Sequence, residues 1–370
     1  MKFGYFTLTD NPPTYGPTRR DANQLLLDTV AEAIAAERLG FNSVWLPEHH
    51  FGGFGVLPTP SSVLAYIAAK TERVKLSAAT VLLPCNQPVR AAEEFAVLDL
   101  LSNGRAIFSA GRGYDEREYR AFEIPFAESR TRFDEELEIV RKAWTEENWS
   151  FKGQHHTIEG PITVYPRPTQ KPHMPVYVAC FSEPTMKTAA DMGFNIIFAP
   201  FAAAMMFGSL QQAVEKFRDY AVAAGHPEST AMCSYFVCLA DTPDEHLRAR
   251  ERLLRYLKAI SPAFPADRSK APPHIAYFAD IVERIQTMKV DDLGERSIVT
   301  GTRDHVIDHL RRVEAAGIEE VICYFSYGAL PHADVLHQME RFSAEVMPAF
   351  EDSTSPTAVG EVGMRAAAPA

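Results

Sequence analysis

Residues 74–111 read VKLSAATVLLPCNQPVRAAEEFAVLDLLSNGRAIFSAG. Val74 to Pro84 is an apolar, strand-like run; Val89 to Leu101 carries its apolar residues at helical spacing; Ala106 to Gly111 is strand-like again. Working back, Lys2 to Leu8 reads as a buried strand. Leu27, Val30, Ala31 and Ile34 then fall on one helical face that Gly40 stops, Ser43 to Glu48 is a second strand, and Ser61 to Lys70 a helix. Working forward, helical stretches run to about Trp144. Strands at Val176–Cys180, Asn195–Ala199 and Ala231–Leu239 are each followed by helical patterns, and Glu320–Phe325 follows a helix with Val306, Leu310 and Val313 on one face. Eight strands alternating with helices specify a closed (β/α)8 TIM barrel of the α/β class. An open doubly wound sheet would carry fewer strands and a Gly-rich nucleotide turn.

Two stretches break the repeat. Gly153 to Pro175, dense in Pro and Gly, reads as a long connection after the fourth unit; Ser261 to Arg296 reads as a lid-like insertion before the last. The barrel is assigned to residues 1–350 as one domain and residues 351–370, rich in Ala, Pro, Ser and Thr, to a disordered tail.

Composition narrows the function. Hydrophobic residues make up 46% of the 370 and the formal net charge is -11, which describes a soluble globular chain that repels a phosphate backbone; nucleic acid is not expected as a partner. The start, MKFGYFTLTD, has no charged segment leading into a long apolar run, and no apolar stretch approaches the roughly 18 residues of a membrane span, so a cytoplasmic location is expected. Cys180, Cys233, Cys238 and Cys323 lie in apolar strand-like runs and read as buried, reduced thiols.

Barrel enzymes place their chemistry where strands run out into loops. WLPEHHFGGF, residues 45–54, puts Glu48, His49 and His50 at such a point, and strand alternation keeps the two histidines from sharing a metal, so no metal is expected. Gly111-Arg112-Gly113 ends the fourth strand and gives a guanidinium room to grip a phosphate, and Arg130 opens the next long helix. Phe181-Ser182-Glu183-Pro184-Thr185 follows a strand and opens a helix whose first N–H groups face an anion, although a plain Ser182 cap with Pro184 in the first turn is the commoner use of such a sequence. The combination of the three at one barrel mouth favours the anion. His155-His156 is read as exposed surface. A P-loop, GxSxG, HExxH, CxxC and the GxGxxG dinucleotide turn are all absent from the sequence.

Taken together, MKFGYF, LGFNSVWLPEHHFGGFG, LPCNQPVRAAEEFAVLDLLSNGR, GRGYD, PVYVACFSEPT and VMPAF resemble the bacterial luciferase-like flavin-dependent monooxygenases, most closely the luciferase alpha subunit, over roughly residues 1 to 350. The resemblance implies that His49 assists proton transfer beside the flavin with Glu48 in support. It places Ala79 and Thr80, at a non-prolyl cis peptide, together with Tyr114, Val178 and Ala179 around the cofactor, and gives the FMN phosphate to Arg112, Arg130, Ser182 and Thr185. It implies FMNH2 and O2 as reactants, a C4a-peroxyflavin route to oxygenation of a small organic substrate, a separate NAD(P)H:flavin reductase as supplier, and a homodimer paired through early barrel helices. Gly111, Phe181 and Pro200 depart from luciferase, which carries a cysteine, an acidic residue and a tryptophan there, so light emission is not implied. An F420-dependent dehydrogenase of the same superfamily and a non-catalytic flavin-binding protein are the competing readings. Phe6, Phe51, Phe54, Phe198 and Phe236 are candidates to line the substrate cavity.

Overall fold

The computed structural model describes residues 1–264 and 277–351. The tail expected at 351–370 therefore lies outside the described residues apart from Glu351, as does part of the expected lid. Eight parallel strands form the barrel: β1 Lys2–Phe6, β2 Ser43–Leu46, β3 Lys75–Ala78, β4 Ala106–Gly111, β5 Val176–Cys180, β6 Asn195–Phe198, β7 Ala231–Leu239 and β8 Glu320–Tyr324. Each pairs with the next, β6 meets β7, and β8 returns to β1 with Lys2 opposite Glu320, so the sheet closes. The expected TIM barrel is present, strand for strand.

Alternation of side chains sorts each strand into two faces. Tyr5, Val44, Leu76, Phe108, Val178, Ile196, Cys233 and Val321 point outward into a layer shared with the surrounding helices, while Phe6, Trp45, Ile107, Ile197, Met232 and Ile322 fill the interior. In the outer layer Phe108 packs edge-on against Phe95 at 4.9 Å and Trp144 at 5.1 Å, an arrangement whose truncation to alanine costs about 3–5 kcal/mol. Helix starts are chemically marked. Proline occupies the first position of Pro60–Ala68, Pro88–Leu101 and Pro243–Ile260, where its missing N–H costs nothing, and Thr242 with Glu245 forms a reciprocal capping box on the last of these.

A polar plug closes the bottom of the barrel. The Trp45 indole N–H donates to Ser43 Oγ at 2.6 Å, the Ser43 hydroxyl donates to Glu320, and Asn42 Nδ2 donates to Glu320 Oε2 at 2.9 Å. Gly4 stands against it: a Cβ there would lie 2.3 Å from Ser43 Oγ. Access to the interior is left to the opposite end, where the strands finish.

Four expectations change. The run Val74–Pro84 is not one strand, because after β3 comes the cis bond Ala79–Thr80, and only Val81–Leu82 resumes pairing, against Ala110 and Gly111. The connection after the fourth unit holds an antiparallel hairpin, Trp149–Lys152 with Thr157–Ile162. A short strand, Ile298–Gly301, pairs with the end of β7; four residues after a charged run are too few for a periodicity signal. On the first helix, Ala22–Arg38, Leu27 is 63% exposed, and the buried face runs through Leu25, Thr29, Glu32 and Ala36. Glu32 is inside because the Tyr5 hydroxyl donates to it at 2.6 Å and His332 Nδ1 lies 2.8 Å from its other oxygen. Val306, Leu310 and Val313 are buried as expected, and so are the four strand cysteines, all free thiols.

Candidate active site

At the strand C-terminal ends a cavity of ≈ 240 Å³ opens into the barrel. Glu48, His49, Ala79, Thr80, Arg112, Tyr114, Ala179 and Thr185 all line it, so residues far apart in sequence converge as the motif reading expects. Of the two adjacent histidines only His49 faces the cavity. His50 turns away, its Nε2 at 3.1 Å from Glu48 Oε1 and its backbone N–H donating to Glu118 Oε1 at 2.8 Å.

Glu118 is the residue that sequence reasoning missed. It is buried on the short helix Glu116–Ala121, and its Oε1 lies 3.2 Å from His49 Nδ1. A carboxylate there accepts a hydrogen bond from Nδ1–H, the tautomer that leaves Nε2 as the His49 atom able to take or give a proton. The only signal was an acidic residue three positions after Asp115 in GRGYDERE, which is indistinguishable from a solvated helix start. Glu48 plays a different part. Its Oε2 accepts from the Leu82 backbone N–H at 3.0 Å and its Oε1 from Asn86 Nδ2 at 2.8 Å. It thus ties the end of β2 to the chain just past the cis bond. Ala79 N–H donates to Leu46 O at 2.6 Å from the other side of that bond, which holds Ala79 and Thr80 at the cavity.

Gly111 faces Thr80. A Cβ at Gly111 would sit 2.2 Å from Thr80 Oγ1 and 3.2 Å from its Cβ, so glycine is required by the Thr80 side chain beside it. Gly113 follows with φ +68°, a conformation natural to glycine.

Beside the opposite wall stand the groups expected to bind an anion. Arg130 Nη1 donates to Thr185 Oγ1 at 2.7 Å and Nη2 to Thr188 Oγ1 at 2.8 Å, and the Ser182 and Thr185 hydroxyls are 3.0 Å apart. Ser182 occupies the cap position of helix Glu183–Asp191, yet its side chain makes no capping bond to the helix backbone. This corrects the plain-cap alternative. The first-turn N–H groups keep the orphaned character that suits a phosphate. Arg130 and Ser182 reach the cavity through Thr185 and do not line it themselves. Val178 does not line it either: strand alternation turns it outward, fully buried between β5 and the helices, while Ala179 takes the inward position.

Aromatic and aliphatic side chains pack behind Tyr114, a cavity-lining residue. Tyr114 stacks on Phe264 with ring centroids 4.3 Å apart, and Ile281 and Ile285 pack with Tyr114 and Phe264. Phe264, Ile281 and Ile285 belong to the segment 261–296, so its described part packs on Tyr114, which lines the cavity. Burial, reinforced by Glu118 and Asp115, raises the Tyr114 hydroxyl well above the usual phenol range and keeps it neutral. Of the phenylalanines expected at the cavity, Phe6 and Phe236 line it; Phe54 packs on the His49 ring at 4.5 Å, Phe198 points into the outer layer, and Phe51 is 67% exposed.

His155 and His156 are not exposed surface. Both are half-buried, and His156 Nε2 lies 2.9 Å from the buried Glu136 Oε1. That pair fastens the hairpin to the helix Ser129–Thr145, a contact invisible in sequence because the hairpin itself was. Among the described residues no group of His, Cys, Asp and Glu could hold a metal ion, and no helix is long and apolar enough to cross a membrane.

The chain is 27% identical over 326 residues, 86% of this chain and 88% of the relative, to the oxygenase component of the flavin-dependent trigonelline monooxygenase of Acinetobacter baylyi. It is also 27% identical over 337 residues, 87% and 93%, to the F420-dependent glucose-6-phosphate dehydrogenase of Amycolatopsis mediterranei. The crystal structure of monooxygenase RslO1 from Streptomyces bottropensis superposes with a TM-score of 0.76 at 29% identity, covering 95% of this chain and all of that one. The model of the luciferase-like monooxygenase family matches residues 1–320, and the chain belongs to that family.

Proposed function

We propose that this protein is an FMNH2-dependent monooxygenase that uses O2 to oxygenate a small organic molecule, as a cytoplasmic homodimer supplied with reduced flavin by a separate NAD(P)H:flavin reductase. One observation carries the reading: Arg112, Thr185 at a helix start and the buried His49 line the same cavity, across Ala79, Thr80 and Gly111. The residues fit FMN. Arg112, Thr185 and the uncapped N-terminus behind it, with Arg130 and Ser182 in support, suit a terminal phosphate; the Gly111–Thr80 contact leaves a wall without large side chains for a flat ring system.

Reduced flavin, when bound, supplies the electrons that activate O2. The chain's own residues do the rest. His49, oriented by Glu118, holds or delivers a proton at Nε2, and Glu48 keeps the chain around the cis bond in place. Tyr114, stacked under Phe264, excludes water from the reacting centre. Supply from another protein is favoured by the lack of a nicotinamide fingerprint in the sequence. The homodimer is supported by a row of exposed apolar side chains on three successive helices: Leu27 on the first, Tyr66 on Pro60–Ala68, and Leu100 and Leu101 on Pro88–Leu101.

The test is anaerobic titration with photoreduced FMN, followed by mixing with 18O2 in the presence of candidate ketones, aldehydes and thioethers. One labelled oxygen atom in product establishes the monooxygenase. FMN binding with hydrogen peroxide as the sole outcome across such a panel points to a non-catalytic flavin protein. Failure to bind FMNH2 together with reduction of oxidised F420 by an alcohol or sugar phosphate, which is itself oxidised, establishes the dehydrogenase, the reading favoured by the Amycolatopsis relative.

A further inference from the structure

The cavity is chemically divided. The side formed by β2, β3, β4 and β5 carries all its ionisable groups, Glu48, His49, Arg112 and Tyr114. The side formed by β1, β6, β7 and β8 presents Phe6, Leu8, Ile197, Ala199, Phe236 and Ile322, and among them a single polar side chain, Ser234.

Strand register places that hydroxyl in depth. Phe236 lies opposite Tyr324, and Tyr324 opposite Phe6; these three rings form one aromatic level, with centroids 5.3 and 5.2 Å apart. Ser234 is two residues earlier on β7, opposite Ile322, which is opposite Gly4. It therefore sits one level deeper, roughly 6–7 Å further from the mouth at the rise of a parallel strand. On the far side of the same level the Ser43–Trp45–Glu320 plug is already hydrogen-bonded within itself. The Tyr324 hydroxyl is likewise taken, since it donates to the buried Asp10. Ser234 Oγ has no hydrogen-bond partner among the described residues, and its half-buried side chain opens on the cavity.

We infer that the organic substrate of this enzyme is uncharged and largely hydrocarbon, and that it presents one oxygen atom to Ser234 Oγ while its carbon skeleton lies along Phe6, Phe236 and Ile322. This deepens the monooxygenase reading and rests on it. A carboxylate or phosphate pushed to this depth would be stripped of water with no cation on that wall to pair with, a cost far larger than one hydrogen bond can return. A molecule without any oxygen would gain only the apolar contacts. Ser234 is thereby a specificity-determining residue: it selects among apolar ligands, and the wall around it rejects charged ones.

Three matched ligands test this on the FMN-loaded full chain by perturbation of the flavin absorbance: cyclohexanone, methylenecyclohexane and 4-oxocyclohexanecarboxylate. The ketone should bind about five- to tenfold more tightly than the hydrocarbon, the worth of one net hydrogen bond, and the carboxylate at least tenfold more weakly than the ketone. Ser234→Ala should bring the ketone down to the hydrocarbon's affinity and leave the hydrocarbon unchanged, while Ser234→Thr, which keeps a hydroxyl, should retain the preference. Equal binding of ketone and hydrocarbon by the natural protein overturns the inference. So does a preference that survives Ser234→Ala, a carboxylate that binds as well as the ketone, or FMN-loaded protein that takes none of the three. If FMN itself does not bind, the functional reading fails separately, and tryptophan emission of the flavin-free protein reports the same ligand series under the same criteria.

Discussion

A single Cβ can be decisive at the cavity wall. Gly111→Ala would place a methyl 2.2 Å from Thr80 Oγ1, so Thr80 must swing aside or β4 must shift. Flavin affinity should fall about tenfold, and the double change with Thr80→Ala should recover most of it, a coupling that equilibrium titration of both single variants and the pair will measure. His49 and Glu118 make a second residue-scale test. His49→Ala should leave FMN binding near normal and lower product formation by about 10²–10⁴, the usual range for a lost proton-transfer group. Glu118→Gln should retain the fold and the flavin but disturb the ring orientation and its acidity, so that the pH profile of turnover moves; a profile unchanged from the natural protein would confine Glu118 to packing.

At the scale of elements, the helix Ser129–Thr145 delivers Arg130 to the start of the helix Glu183–Asp191 and so couples two units of the barrel at the proposed phosphate site. Arg130→Met should weaken FMN binding about 10- to 100-fold and riboflavin binding hardly at all, because only the phosphate uses the charge; comparing the two dissociation constants gives the answer directly. A different element carries a pH sensor of stability. His309, buried on the helix Arg303–Ala315, has a ring Nδ1 with no hydrogen-bond partner among the described residues, and burial lowers its pKa to about 4 despite Glu295 nearby. The unfolded chain binds this proton near pH 6.5, the folded one only near 4. Between those values the unfolded state holds more protons, so stability is complete above about 6.5 and is lost as pH falls toward 4, by roughly 2–3 kcal/mol. His309→Phe should flatten that part of the acid limb in a series of thermal melts, with Tyr235, whose ring centre lies 5.2 Å away, as the packing neighbour that decides whether the larger ring fits.

For the whole molecule the prediction concerns assembly. Leu27, Leu100 and Leu101 are each more than half exposed, an apolar surface that a partner copy would cover. If the protein is the homodimer proposed, Leu100→Glu should shift it to monomer in sedimentation velocity while leaving the barrel's circular dichroism intact. A natural protein that sediments as a monomer would refute the pairing outright.

The barrel was legible in the sequence because its strands are buried on both faces and its helices on one, and both habits leave regular apolar signals. Most of the cavity was legible too, since turn-forming glycines and charged residues gather where strands end: Glu48, His49, Arg112 and Thr185 all arrive where their motifs place them. What sequence could not supply were facts about direction and partner. Val178 and Ala179 are neighbours of similar character, and only the alternation of the folded strand puts one in the cavity and the other outside. Leu27 looks like core and is exposed, whereas Glu32 looks like surface and is buried, because Tyr5 and His332 wait to bond it from elements far along the chain. Glu118 and Ser234 are ordinary letters in their local sequence and become specific through closure of the barrel. Local pattern determined which elements this protein forms; the partners that three dimensions bring to each side chain determined which residues do its chemistry.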